Sequence, residues 1–261
     1  MASLKPLMIA TSVDAGQNAV LKYHDHTTGK LLGALRLVRT ASAAATEASP
    51  VFYHVAAGEH RCLSWPRRSW NARLQNRAML KNRSPHSPGM EPAAAQQLMI
   101  AYLCPRPVVL VSVEAPGHHN IFPMDLIGPL QRSGFFSLAL RSTNVSAPIM
   151  REVRRVALSG IPGTMKTTVY KLAEHHRRPL NGWDELSFPV RPSREFGIPV
   201  VAEALRVQEL TIVHHQEIGS HTFFLARVVS DENPAAGMQL HHTAGFHQAW
   251  HRRSGTPFTE V

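Results

Sequence analysis

Residues 106–125 read RPVVLVSVEAPGHHNIFPMD, and the reading of the whole chain turns on them. Pro107 opens a β-branched apolar run of Val108, Val109, Leu110, Val111 and Val113, and Pro116-Gly117 marks a turn behind it. The pattern predicts a buried strand running into a loop. That loop carries Asn120 and then Phe122-Pro123-Met124-Asp125, so an amide, a fixed proline φ and a carboxylate fall within a few residues. Such a segment can present polar groups to a flat ligand. Units of this composition also serve as plain connectors, so two further segments nearer the C-terminus decide between the roles.

The first is the apolar run Phe135-Phe136-Ser137-Leu138-Ala139-Leu140, which leads into Arg141-Ser142-Thr143-Asn144; the second is a hairpin pattern centred on Gly219-Ser220-His221-Thr222-Phe223-Phe224. In order and chemistry the three pieces resemble the flavin reductase family, over roughly residues 100–232. The resemblance implies a mainly β fold with α: an FMN-binding split β-barrel with flanking helices and an N-terminal extension. It implies FMN as cofactor and NADH or NADPH as co-substrate. Carried over by position, Asn120, Pro123, Met124 and Asp125 line the isoalloxazine, while Arg141, Ser142, Thr143 and Ser146 hold the phosphate. His221 is the catalytic candidate, placed to orient or polarise the nicotinamide. Much of the family has a small hydroxyl residue where this chain has Met124-Asp125. The resemblance further implies a homodimer and a partner oxygenase.

Composition bounds these expectations. The chain has 261 residues with 44% hydrophobic content, enough for a sizeable core in one large or two small domains. We read residues 1–90 as an extension and 91–261 as the barrel domain, with Ser84-Pro85-His86-Ser87-Pro88-Gly89 at the boundary. No run is long enough to cross a membrane, and the default address is cytoplasmic. The two cysteines suit neither a disulfide framework nor a zinc site, and the sixteen histidines include pairs such as His247/His251 without a specific ligand spacing. No metal is expected. Neither a G-x-S-x-G elbow nor a Walker loop is present.

A net charge of +10 calls for an anionic partner. Residues 61–83 hold seven Lys or Arg and no acid, with Trp65 and Trp70 among them. A basic nucleic-acid adaptor, or a split barrel that binds flavin without turnover, is therefore the alternative function. The blander reading is a surface helix with Trp70, Leu74 and Ala78 on its inner side.

Elsewhere the patterns predict a hairpin of 19–23 with 31–38, a linker over 40–49 and a strand at 51–55. Helices are predicted over 91–102, from Ser146 through Val156 and from Thr164 to a stop near Arg177-Arg178-Pro179, with an extended loop over 179–199. The apolar phase slips at Gln208-Glu209, which predicts a β-bulge facing the strand 222–229. The tail from Leu240 has no clear period.

Overall fold

The computed structural model describes residues 1–40, 50–64, 90–130 and 134–255, together with 66, 67, 69, 70 and 73. The expected linker after Thr40, the boundary at Ser84–Gly89 and most of the basic stretch 61–83 lie outside these. The backbone divides into two compact units, one of Met1–Ser3 with Arg106–His242, the other of Leu4–Pro105 with the segment from Thr243. Among the described residues no helix is long and apolar enough to cross a membrane.

In the second of these units, β1 (Leu7–Thr11), β2 (Asn18–His24), β3 (Leu31–Arg39) and β4 (Val51–His60) form an antiparallel sheet in the order β1-β4-β3-β2. Helix α1 (Pro92–Ala101) packs on β3 and β4. The crowding beneath it requires glycine on β3: a Cβ on Gly33 would lie 2.9 Å from the Glu59 carbonyl of β4, 2.7 Å from Leu103 Cδ1 just past the helix and 3.3 Å from Ile100 Cγ2 on it.

The other unit holds a seven-stranded antiparallel sheet. Its strands are β5 (Val109–Ala115), β6 (His118–Met124), β7 (Ile127–Pro129), β8 (Phe135–Arg141), β9 (Arg155–Gly160), β12 (Arg206–Ile218) and β13 (His221–Glu232). A small separate ribbon pairs β10 (Val190–Pro192) with β11 (Pro199–Val201). The large sheet runs β6-β5-β9-β12-β13-β8-β7. Its two edge strands, β6 and β7, are consecutive in the chain and joined only by Asp125 and Leu126. A link that short forces the sheet to curl until its edges meet, and the Ala139 N–H donates to the Leu126 carbonyl at 2.9 Å, extending the β7–β8 ladder into the link. Inside the curl, alternate residues from every long strand make one core: Val109, Val111, Phe122, Met124, Leu138, Leu158, Leu210 and Phe224 are all buried there. Leu110, Ile121, Ala157 and Val207 face the other way and are covered in turn by Val169, Leu172, Ile198 and Val200. That double burial is why the run from Val108 carries no polar alternation.

The segment 118–124, expected as a loop, is strand β6. Its polar residues and Pro123 argued against a strand, but β6 is a sheet edge, where a residue lacking an N–H leaves no ladder bond unmade. Gly117, at φ 72, makes the tight turn from β5. Helix α2 (Ala147–Val153) ends sooner than its apolar stripe predicts, because Arg154 turns left-handed at φ 54 and Val156 belongs to β9. The second predicted helix is broken into α3 (Lys166–Lys171), with 3-10 turns at Gly163–Met165 and Leu172–His176. The slip at Gln208-Glu209 is a register shift between Glu209 and Leu210, and a second shift falls between Ile212 and His214. Glu209 is buried at the bend, and its carboxylate accepts the backbone N–H groups of Glu195 (2.9 Å) and Phe196 (2.7 Å).

The tail contains helix α4 (Gly245–Ser254), part of the unit with β1–β4. Only Phe246 and Trp250 bury on it, one stacked 3.9 Å from the His60 ring and the other donating its indole N–H to Asp25 at 3.0 Å. Two apolar positions are too few to declare a helical period.

Candidate functional site at the barrel seam

The seam gathers charged and titratable side chains that lie far apart in sequence. Asp125 occupies the link between the two edge strands, and its carboxylate sits 2.6 Å from His242 Nδ1. His242 is placed by a short ribbon in which His241–His242 pairs with Arg106–Pro107, immediately ahead of β5. Arg141 ends β8 directly opposite His221, the first residue of β13. The tight turn before His221 has Gly219 at φ 55, the backbone state that the first residue of a type II′ hairpin needs.

Electrostatics ties these groups together. His221 is buried, and burial together with the neighbouring Arg141 brings its imidazole down to about 4 against the opposing charge of Asp125. Ser220 Oγ lies 2.9 Å from His221 Nδ1 and holds the ring. His176 answers to the same pair: burial lowers its pKa, Arg141 and Arg177 add to that, and a hydrogen bond with the backbone of Pro123 and the charge of Asp125 work against it. Its Nδ1 accepts from Asn144 Nδ2 at 2.8 Å, and its ring packs 5.1 Å from Phe122. Both histidines are thus neutral near pH 7, and the charges acting on both are Arg141 and Asp125.

The residues singled out in the sequence separate into three groups. Asp125, Arg141 and His221 meet at the seam, and Pro123 joins them through its hydrogen bond to His176. Thr143 is exposed just beyond Arg141. Ser142 stands beside them, but its hydroxyl donates to Glu217 at 2.8 Å, a carboxylate that also accepts from Thr222 (2.8 Å) and Arg151 (2.5 Å). Asn120 and Ser146 meet each other in the interior. Asn120 Nδ2 donates to Ser146 Oγ at 2.8 Å and to the His175 carbonyl at 2.9 Å, and His118 Nε2 lies 3.0 Å from the same hydroxyl. Ser146 makes no side-chain cap bond to α2. Met124 packs in the core.

Sequence reasoning passed over His176, Asn144 and His242 at this rim. The doublets His175-His176 and His241-His242 were visible, but adjacent histidines read as metal candidates before anything else. What gives His176 its place is a set of contacts from β6 and from the turn ahead of α2, which no local pattern announces.

With this geometry in view, the likeness to known proteins is informative. Residues 101–249 match the family profile described as "Flavin reductase like domain". No curated protein matches the chain. Among solved structures, the Streptomyces globisporus C-1027 NADH:FAD oxidoreductase SgcE6 superposes with a TM-score of 0.53 at 19% identity, covering 62% of this chain and 95% of that one. BorF, the flavin reductase component of a bacterial two-component tryptophan halogenase, gives 0.52 at 14% identity, with 58% and 94% covered. An FMN-binding protein from Thermus thermophilus, solved with p-hydroxybenzaldehyde, gives 0.50 at 21%, with 63% and 93% covered. At these identities the likeness carries the fold: a split barrel.

Proposed function

The chain belongs to the flavin reductase-like family, and from that premise we propose that it binds FMN at the barrel seam and passes a hydride from NADH or NADPH to the flavin. The observation that carries this reading is the rim itself, where a cation, Arg141, stands beside neutral imidazoles and an apolar barrel interior. The residues fit the cofactor. Among the described residues Arg141 forms no ion pair, so its guanidinium is available to a phosphate dianion, with the Thr143 hydroxyl next to it.

Bound flavin supplies the redox chemistry, accepting a hydride and handing electrons on. The chain's own part is to bind, orient and exclude water. Arg141 anchors the phosphate. Asp125, tied to His242, sets the polarity where the two edge strands meet. His221 stays neutral and buried, so it orients the nicotinamide without donating a proton. The buried side chains lining the curl keep water from the reacting faces.

In this reading the functional unit is a homodimer whose second copy covers the open flavin face, and reduced flavin leaves for a partner oxygenase. BorF, a reductase component of a two-component system, supports the second part. The Thermus FMN-binding protein keeps one other reading in play, a split barrel that holds flavin without turnover. Steady-state oxidation of NADH and NADPH with FMN, FAD or riboflavin as acceptor tests the proposal. Flavin-dependent turnover above the uncatalysed rate is the expected result; flavin binding with no turnover would leave the carrier reading.

A further inference from the structure

A second set of cations lines a cavity of about 300 Å³ in the unit built on β1–β4. One wall is a single face of α4, carrying Gln248, Arg252 and Arg253; the other is the segment with Cys62, Ser64 and Arg67. Three arginines therefore line one concavity, and none of the described residues lining it bears a carboxylate.

The arrangement is held in place by its surroundings. Arg253 donates to the Arg61 carbonyl at 3.1 Å, and its guanidinium carbon lies 5.1 Å from the centre of the Trp250 ring. Cys62 donates its thiol to the Leu32 carbonyl at 3.5 Å, and burial pushes that thiol up to about 11, so the wall contributes no negative charge. An anion entering the hollow meets basic residues on both of its walls. The volume falls at the lower end of the range for small-molecule sites, and a walled cavity suits a compact ligand better than the backbone of a duplex. Ser64 and Gln248 add neutral groups able to hydrogen-bond phosphoryl oxygens.

We propose that this cavity is a binding site for a small anion recognised through its phosphoryl groups, either free diphosphate or the phosphate of a nucleotide. The site stands apart from the flavin reading, which neither needs it nor explains it.

The experiment is isothermal titration of the full chain with inorganic pyrophosphate, AMP and adenosine at low salt. It is done on an Arg141→Ala background, which silences phosphate binding at the barrel seam. The expected result is saturable binding of pyrophosphate or AMP and none of adenosine. Arg67→Gln combined with Arg252→Gln should then weaken that binding by at least about tenfold, the loss that removing a charge-assisted hydrogen bond produces. Both arginines are exposed, so circular dichroism should be unchanged, and Arg252→Lys should retain part of the affinity. Tighter binding of AMP than of pyrophosphate assigns the phosphate to a nucleotide; the reverse assigns it to free diphosphate. Equal affinity with and without the two arginines would overturn the proposal. So would a single-stranded oligonucleotide that binds through them while both small ligands do not.

Discussion

Asn120 donates its amide to the Ser146 hydroxyl across 2.8 Å, with both side chains fully buried. The pair ties β6 to the start of α2, and the second donation from Asn120 ties both to the carbonyl of His175. These bonds hold the backbone that carries His176 to the seam, so Asn120 acts on the rim through its neighbours.

Asn120→Ala is therefore predicted to damage stability first. It leaves buried acceptors unpaired, which costs about 1–3 kcal/mol. Urea denaturation should show that loss in apo protein. A variant as stable as the wild type but tenfold weaker for FMN would mean that Asn120 touches the ligand.

Arg141→Ala separates the two flavins. The guanidinium would meet a dianion in FMN and nothing comparable in riboflavin, so FMN affinity should fall by about 1.5–3 kcal/mol while riboflavin affinity holds. Fluorescence titration with each flavin measures this. An equal loss for both would make Arg141 structural, and no loss for either would put the phosphate elsewhere.

His221 gives a pH dependence of definite sign. Its imidazole titrates at about 4 when folded and near 6.5 in the unfolded chain. The unfolded state therefore binds more protons between those values, and folding stability should decline as pH falls from 6.5 towards 4. His221→Gln should flatten that slope. The same neutrality predicts no step from His221 in the turnover rate above pH 5, and a His221→Gln enzyme that keeps most of its rate. A rate profile that loses a step near neutrality in the variant would give the histidine a proton-transfer role.

Glu209 shifts stability with pH in the same direction but for a different reason, since here the charged form is the one the fold favours. Burial would raise its pKa, but the Ser193 side chain and the backbone N–H groups of Glu195, Phe196 and Arg194 prevail and hold it below the usual 4.5. A carboxylate lowered in the folded state stabilises fully above the unfolded pKa, and that contribution disappears as pH falls through the lower folded value. Glu209→Gln should thus be clearly less stable than the wild type at pH 7 and approach it below pH 4. A gap that does not change with pH would contradict this.

These residues also mark what the sequence discloses. The core of the barrel was legible because Val108, Val109, Leu110, Val111 and Val113 form a β-branched apolar run, and the bulge because the alternation begun at Leu205 and Val207 slips at Gln208-Glu209. The strand β6 was not, since Pro123 and three polar neighbours read as loop until the sheet order makes this an edge. Arg141 and His221 were singled out through the family resemblance, which matched each to a position at one end of a strong strand. His176 could not, because its place depends on contacts with Asn144 and with the backbone of Pro123, both remote in sequence. Helix α4 stayed hidden for a similar reason: its apolar face is two residues, completed by Asp25 and His60 from far upstream.

The central claim is that this chain alone moves a hydride from a reduced nicotinamide to FMN. Its most direct test is anaerobic mixing of the FMN-loaded protein with NADH or NADPH, following the visible flavin band and repeating the reaction with nicotinamide deuterated at C4. The account predicts that one of the two reductants bleaches the bound flavin with no other protein present, and that deuterium at the transferred position slows the bleaching. Bound flavin that stays oxidised with both reductants would contradict it.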